Sequence, residues 1–229
     1  MSESTQIKKQ RLTLELVVVI MLGVTAICTA WASWVSSVHS SNMDEHFVKS
    51  NHLSSEGNSE YNAGIQALMM DMMVYNNVNS LIIDLHFAEA RGDYDEAEKA
   101  EWKIDALVSG NMSDELVDAF NWSIDESEVR GEYVSPFEKE GFLETYFEIA
   151  LELLMEADDA LAQGQGDSAH SDSFGLATVI YAVVLFLLGI VNSFPAERYK
   201  KILLCISAAA FLVATIYMLT IPLPSNLFG

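Results

Sequence analysis

The chain has 229 residues, 51% of them hydrophobic and 20% charged, with a formal net charge of −21. The charges are segregated: residues 16–43, 173–196 and 202–229 hold no Lys, Arg, Asp or Glu, whereas 44–172 hold 30 of the 33 acids and 6 of the 12 bases, a net charge of −24. That excludes a uniform soluble globule, and it excludes a nucleic-acid binder, which needs clustered bases to displace phosphate counterions.

In chain order, residues 1–13 predict a short cytoplasmic segment, followed by an apolar run over 14–35. A membrane-spanning helix needs about 20 mainly apolar residues to cross a hydrocarbon core of ~30 Å. Residues 14–35, 174–194 and 202–221 each meet that length, and Trp31 and Trp34 close the first as headgroup anchors. Ala30-Trp31-Ala32 has the A-x-A form of a signal-peptidase site, so cleavage after Ala32 is the alternative to a retained anchor. The run exceeds the usual signal core, and its Trp-rich end favours retention. Ile27, where a lipoprotein signal has a small residue before Cys28, disfavours lipidation.

Basic residues set the expected threading. Lys8, Lys9 and Arg11 precede the first span, and Arg198, Lys200 and Lys201 lie in the loop 195–201 between the second and third. The positive-inside rule makes both cytoplasmic. Residues 36–173 and the tail 222–229 are then expected outside a plasma (inner) membrane. Cys28 and Cys205 fall within spans, roughly 20 Å and about 6 Å from the cytoplasmic boundary at 1.5 Å per residue, too far apart to bridge. Disulfide and zinc-thiolate scaffolds are excluded on the same ground.

The segment between the first two spans reads as helical. Tyr61, Ile65, Leu68, Met72, Tyr75, Ile82 and Leu85 recur at helical steps. Gly57 weakens continuity back towards the first span. Arg91-Gly92-Asp93 breaks the pattern, and Asp93 with Glu96 predicts an N-cap for a second helix, completing an αα-hairpin. The hairpin has features of a single tetratricopeptide unit, but no 34-residue recurrence follows. A short amphipathic piece spans Asp114 to Trp122. Ser135-Pro136-Phe137-Glu138 then predicts a capping box opening a long helix, striped by Leu143, Phe147, Ala150, Leu154, Ala157 and Leu161 and ended by Gly164 and Gly166.

Glu140, Glu144, Glu148, Glu152 and Glu156 stand at i, i+4 spacing on that helix, where like charges repel by a few tenths of a kcal/mol per pair. Such a column is a solvated face, a surface for a basic partner or a weak site for hard cations. One straight helix presents carboxylates in a row rather than around an ion, so no metal is assigned. Met69-Met70-Asp71-Met72-Met73 repeats M-x-x-M, a pattern that suits Cu(I) but is read as apolar core. His39 and His170, with Asp167 and Asp172 nearby, could share a metal or pH-sensing site at the outer membrane surface. Asn111-Met112-Ser113 and Asn121-Trp122-Ser123 are glycosylation sequons. No phosphate loop, nucleophile elbow or Cys/His pair occurs, so no catalytic residue and no cofactor are assigned.

Ionisable groups are missing from the spans, apart from Glu15 at one edge, which disfavours transporters and proton relays. Ala26/Ala30 and Ala210/Ala214, with Thr25, Thr29 and Ser33, are expected to support close helix packing.

The layout resembles an uncharacterised family of bacterial inner-membrane proteins having an N-terminal span, a helical middle segment and a C-terminal pair of spans. The likeness extends loosely to the stretch DSFGLATVIYAVVLFLLGI over 172–190 and implies no activity. The sequence thus predicts an all-α, multi-pass integral membrane protein with three transmembrane helices and an acidic helical extracytoplasmic domain. It is expected to be non-enzymatic, an accessory or scaffold subunit working in the lipid bilayer with another membrane protein or as a homo-oligomer. The alternative is a homo-oligomeric cation channel with an acidic vestibule.

Overall fold

A computed structural model describes residues 3–226, with side chains from Leu14 onward. Lys8, Lys9 and Arg11, on which the threading partly rests, and residues 227–229 of the tail lie outside these described groups. The described residues form α-helices α1 (Glu3–Arg91), α2 (Tyr94–Asn111), α3 (Asp114–Arg130), α4 (Phe142–Thr145), α5 (Glu148–Ile190) and α6 (Glu197–Leu219), with single 3-10 turns at Pro136–Glu138 and Val191–Ser193 and no strand. Three helices are long and apolar enough to cross a membrane: Leu14–Arg91 within α1, Glu148–Ser193 and Glu197–Thr220. The chain divides into two compact units, Met1–Lys49 with Asp159–Gly229, and Ser50–Asp158.

In the first unit α1, α5 and α6 share a narrow core. Ala32, Val35, Phe174, Ala177, Tyr181 and Ala214 are buried together, flanked by Cys28, Phe211 and Tyr217. Outside that seam the unit turns its bulk outward: Ile27 is 71% exposed, Phe186 65% and Ile216 64%. Such a surface suits lipid rather than water, where a contiguous apolar face of this kind is unfavourable. Polar groups in the apolar helices are satisfied at home. Thr25 and Thr29 donate to the carbonyls of Met21 and Thr25 at 2.7 Å, and Ser207 donates to that of Leu203 at 2.9 Å. Side chains also bond across helices, Ser36 with Ser171 and Tyr181 with Thr215. Helix α6 begins at Glu197, so Arg198, Lys200 and Lys201 belong to its first turns rather than to a loop.

The second unit is built on α1 from Ser50 onward. Gly92, at φ 72°, ends α1, and the Asp93 side chain accepts from Glu96 N–H at the start of α2, as the spacing predicts. Ala88, Ala97 and Ala100 are buried where the hairpin closes. Ser113 caps α3, which runs well past Trp122 to Arg130 and ends on left-handed Gly131. The core gathers Tyr75, Leu116, Ala119 and Phe142, with Met112, Phe120, Phe137 and Tyr146 around them.

Three further expectations about helix limits are corrected. The capping box at Ser135 forms, but it opens one 3-10 turn and not a long helix. The chain then turns through extended Lys139 and left-handed Gly141 before α4. These turns deliver Phe137, Phe142 and Tyr146 to the aromatic cluster around Tyr75, so tertiary burial outweighs local helix propensity. Gly164 and Gly166 do not end α5, and Gly57 does not interrupt α1. A Cβ on Gly164 would meet the Phe47 ring at 2.6 Å, and one on Gly57 would meet Leu154 at 3.0 Å. Both glycines are sites of close helix approach.

Candidate functional site

All five acids of the predicted column are exposed, and among the described residues none pairs with a base. They do not share one helix. Glu140 lies in the turn before Gly141, Glu144 is on α4, and Glu148, Glu152 and Glu156 alone keep the i, i+4 ladder on α5. The break in the helix makes a shape the sequence did not announce. Glu144, Glu148 and Glu152 line a groove of about 610 Å³ together with Gly141, Thr145, Leu151 and Met155. Leu143, Ile149, Leu151 and Met155 expose large apolar surface on the same stretch of chain. Carboxylates interleaved with bare Leu and Met are the complement of an amphipathic basic segment.

Next to this groove lies a buried polar knot. Asp71, 4% exposed, accepts three hydrogen bonds: from Ser113 N–H at 3.2 Å, the Ser113 hydroxyl at 2.5 Å and the Tyr146 hydroxyl at 2.5 Å. Ser113 Oγ in turn accepts from Leu116 N–H, so one carboxylate ties α1 to the α3 cap and to the turn before α5. The Tyr146 hydroxyl resists ionisation because it is buried and because it donates to Asp71. Burial likewise raises Tyr75, whose hydroxyl bonds that of Tyr133. Sequence reasoning missed this knot; an acid inside an otherwise uncharged methionine run was the available signal.

The second cluster lies in the first unit. His39, 2% exposed, places Nδ1 2.7 Å from Asp167 Oδ1 and Nε2 3.2 Å from the Pro222 carbonyl oxygen. Both ring nitrogens of His39 thus face oxygen atoms of residues distant in the chain. The rings of His170 and Phe174 lie 5.2 and 5.9 Å from that of His39, and His46 Nε2 reaches 3.5 Å from Asp167 Oδ2. His39, Asp167 and His170 thus come together as their positions suggested; Asp172 is exposed and forms no hydrogen bond or ion pair with them. Among the described residues no three such side chains converge as a metal ion would require. Asn42 and Asn226 exchange two amide hydrogen bonds at 3.0 and 2.8 Å, so the described part of the tail is fastened at Pro222 and again at Asn226.

The chain matches no protein-family model, no curated protein and no solved structure.

The other predicted positions are placed as follows. Ala214 is fully buried in the seam of the first unit and Ala210 is half-buried, whereas Ala26 and Ala30 are exposed and the neighbouring Thr25 and Ala32 are buried in their stead. Cys28 and Cys205 are free thiols. Of the methionines read as core, Met72 is exposed as well, and Met69, Met70 and Met73 are more exposed still. The buried face of α1 runs through Gly64, Asp71, Tyr75 and Val78, which turns those methionines to the opposite side. Asn111 and Asn121 of the two sequons are both exposed.

Proposed function

We propose that this is a non-enzymatic, three-span protein of a plasma (inner) membrane, acting as an accessory or scaffold subunit. Its acidic helical segment lies outside and binds a basic amphipathic stretch of another membrane protein. The threading rests on the six bases that flank the spans, all assigned to the cytoplasmic side. The binding reading rests on one observation, the groove in which Glu144, Glu148 and Glu152 stand beside Leu151 and Met155. Apolar contact supplies affinity in such a groove, while the unpaired carboxylates set charge selectivity and the rate of encounter.

Charge reversal at the groove (E144K with E148K and E152K) tests the assignment. It is expected to abolish co-purification of the partner in mild detergent while leaving helical content and membrane insertion unchanged. Undiminished partner recovery from the triple variant would remove the groove from the account.

A further inference from the structure

The second unit holds a hollow that shares no residue with the acidic groove. It has a volume of about 610 Å³ and is lined by Tyr75 and Asn79 of α1, Phe120 and Glu128 of α3, and Glu132 and Tyr133 in the turn after α3. Left-handed Gly131 reverses the chain there, and the Tyr133 hydroxyl bonds that of buried Tyr75. Tyr133 is thus pinned by its tip while the residue stays 68% exposed. A ring held in this way adds little burial to the core and instead forms a wall of the hollow.

The polar groups of the lining divide into those already engaged and those left open. The Ser127 hydroxyl accepts from Val134 N–H at 2.9 Å and donates to the Ser123 carbonyl at 2.6 Å, and the Ser123 hydroxyl donates to the Phe120 carbonyl at 2.7 Å. Among the described residues, the Glu128 and Glu132 carboxylates pair with no base and the Asn79 side chain makes no hydrogen bond. No Lys or Arg lines the hollow, and Arg130, between the two acids in sequence, is paired with Glu126 at 2.7 Å.

We infer that this hollow is a binding site for a small organic ammonium ion. Its two carboxylates repel an anion. A wholly apolar solute would strip water from those carboxylates and give them no partner, which is costly. A sugar needs several open hydroxyl partners, and both serines are engaged elsewhere. An ammonium with apolar substituents meets the carboxylates with its charge and the rings of Tyr75, Phe120 and Tyr133 with both charge and carbon. The volume falls in the range of about 300–1,000 Å³ typical of small-molecule sites.

Titration calorimetry of the full-length chain in a maltoside detergent is the test, with choline as the probe and dimethylbutanol as its uncharged carbon isostere. Choline is expected to bind saturably, and the isostere at least about tenfold more weakly. Tyr133→Ala, and separately Glu128→Gln with Glu132→Gln, should each weaken choline binding about fivefold or more. All three side chains are exposed, so circular dichroism should not change. Equal binding of the isostere would overturn the site, as would undiminished choline affinity in either variant or no saturable binding at all. Nanodiscs of phosphatidylglycerol and of phosphatidylcholine separate two sources of the ammonium. Equal choline affinity in both assigns the site to a free solute, and weaker affinity in phosphatidylcholine assigns it to a lipid headgroup. Charge reversal at Glu144, Glu148 and Glu152 is expected to leave choline binding unchanged, so failure of this site and failure of the groove are distinguishable.

Discussion

Gly64 and Gly166 are both helical glycines, yet their replacement by alanine is expected to act in opposite directions. A Cβ at Gly64 would come within 3.1 Å of the Phe147 ring and nearer still to the Tyr146 carbonyl oxygen, whereas nothing lies within 4 Å of one at Gly166. Alanine adds up to about 1 kcal/mol of helix preference at either position. Overpacking against backbone costs about 1–3 kcal/mol, so the clash wins at Gly64. Thermal unfolding in detergent should show a lower Tm for Gly64→Ala and an unchanged or raised Tm for Gly166→Ala. Two tyrosines of the same region give a pH signature. Burial, and hydrogen bonds to Tyr133 and Asp71, hold Tyr75 and Tyr146 above the ordinary phenol value of about 10. Groups whose folded-state value is raised stabilise the fold below their unfolded value, and that contribution disappears as pH climbs above it. Stability should therefore fall steeply above about pH 10, and Tyr75→Phe should flatten the fall. An identical alkaline profile for the variant would remove Tyr75 from the explanation.

At the scale of elements, the apolar runs and the caps were legible because each is a local signal. The apolar runs carry no charge apart from Glu15 at one edge, and Asp93 and Ser135 take their caps from residues three positions or fewer away. Helix limits were harder to read, because they depend on partners distant in sequence. Gly57 and Gly164 resemble helix breakers until the facing Leu154 and Phe47 are known. The long helix expected after Ser135 is divided because Phe137, Phe142 and Tyr146 are drawn to Tyr75, more than sixty residues earlier. The candidate groove follows from that division, so its acids could be named from the sequence while its shape could not. Tail fastening is likewise long-range: His39 and Asn42 on α1 hold Pro222 and Asn226 beyond α6. His39→Ala with Asn42→Ala is expected to expose the tail, raising cleavage by carboxypeptidase in detergent with the three apolar helices intact. An unchanged digestion rate would show that the two contacts do not hold it.

For the whole molecule, the distribution of charge and apolar surface supports one division of labour. Three apolar helices are long enough to cross a bilayer, and a segment of net charge −24 carries the acidic groove. A homo-oligomeric pore would not need the groove, whereas the accessory-subunit reading rests on it. The mass and composition of the complex purified intact in mild detergent decide between them. A second polypeptide at fixed ratio to this chain is the predicted result. A defined multimer of this chain alone, unchanged by charge reversal at Glu144, Glu148 and Glu152, would contradict the accessory-subunit reading.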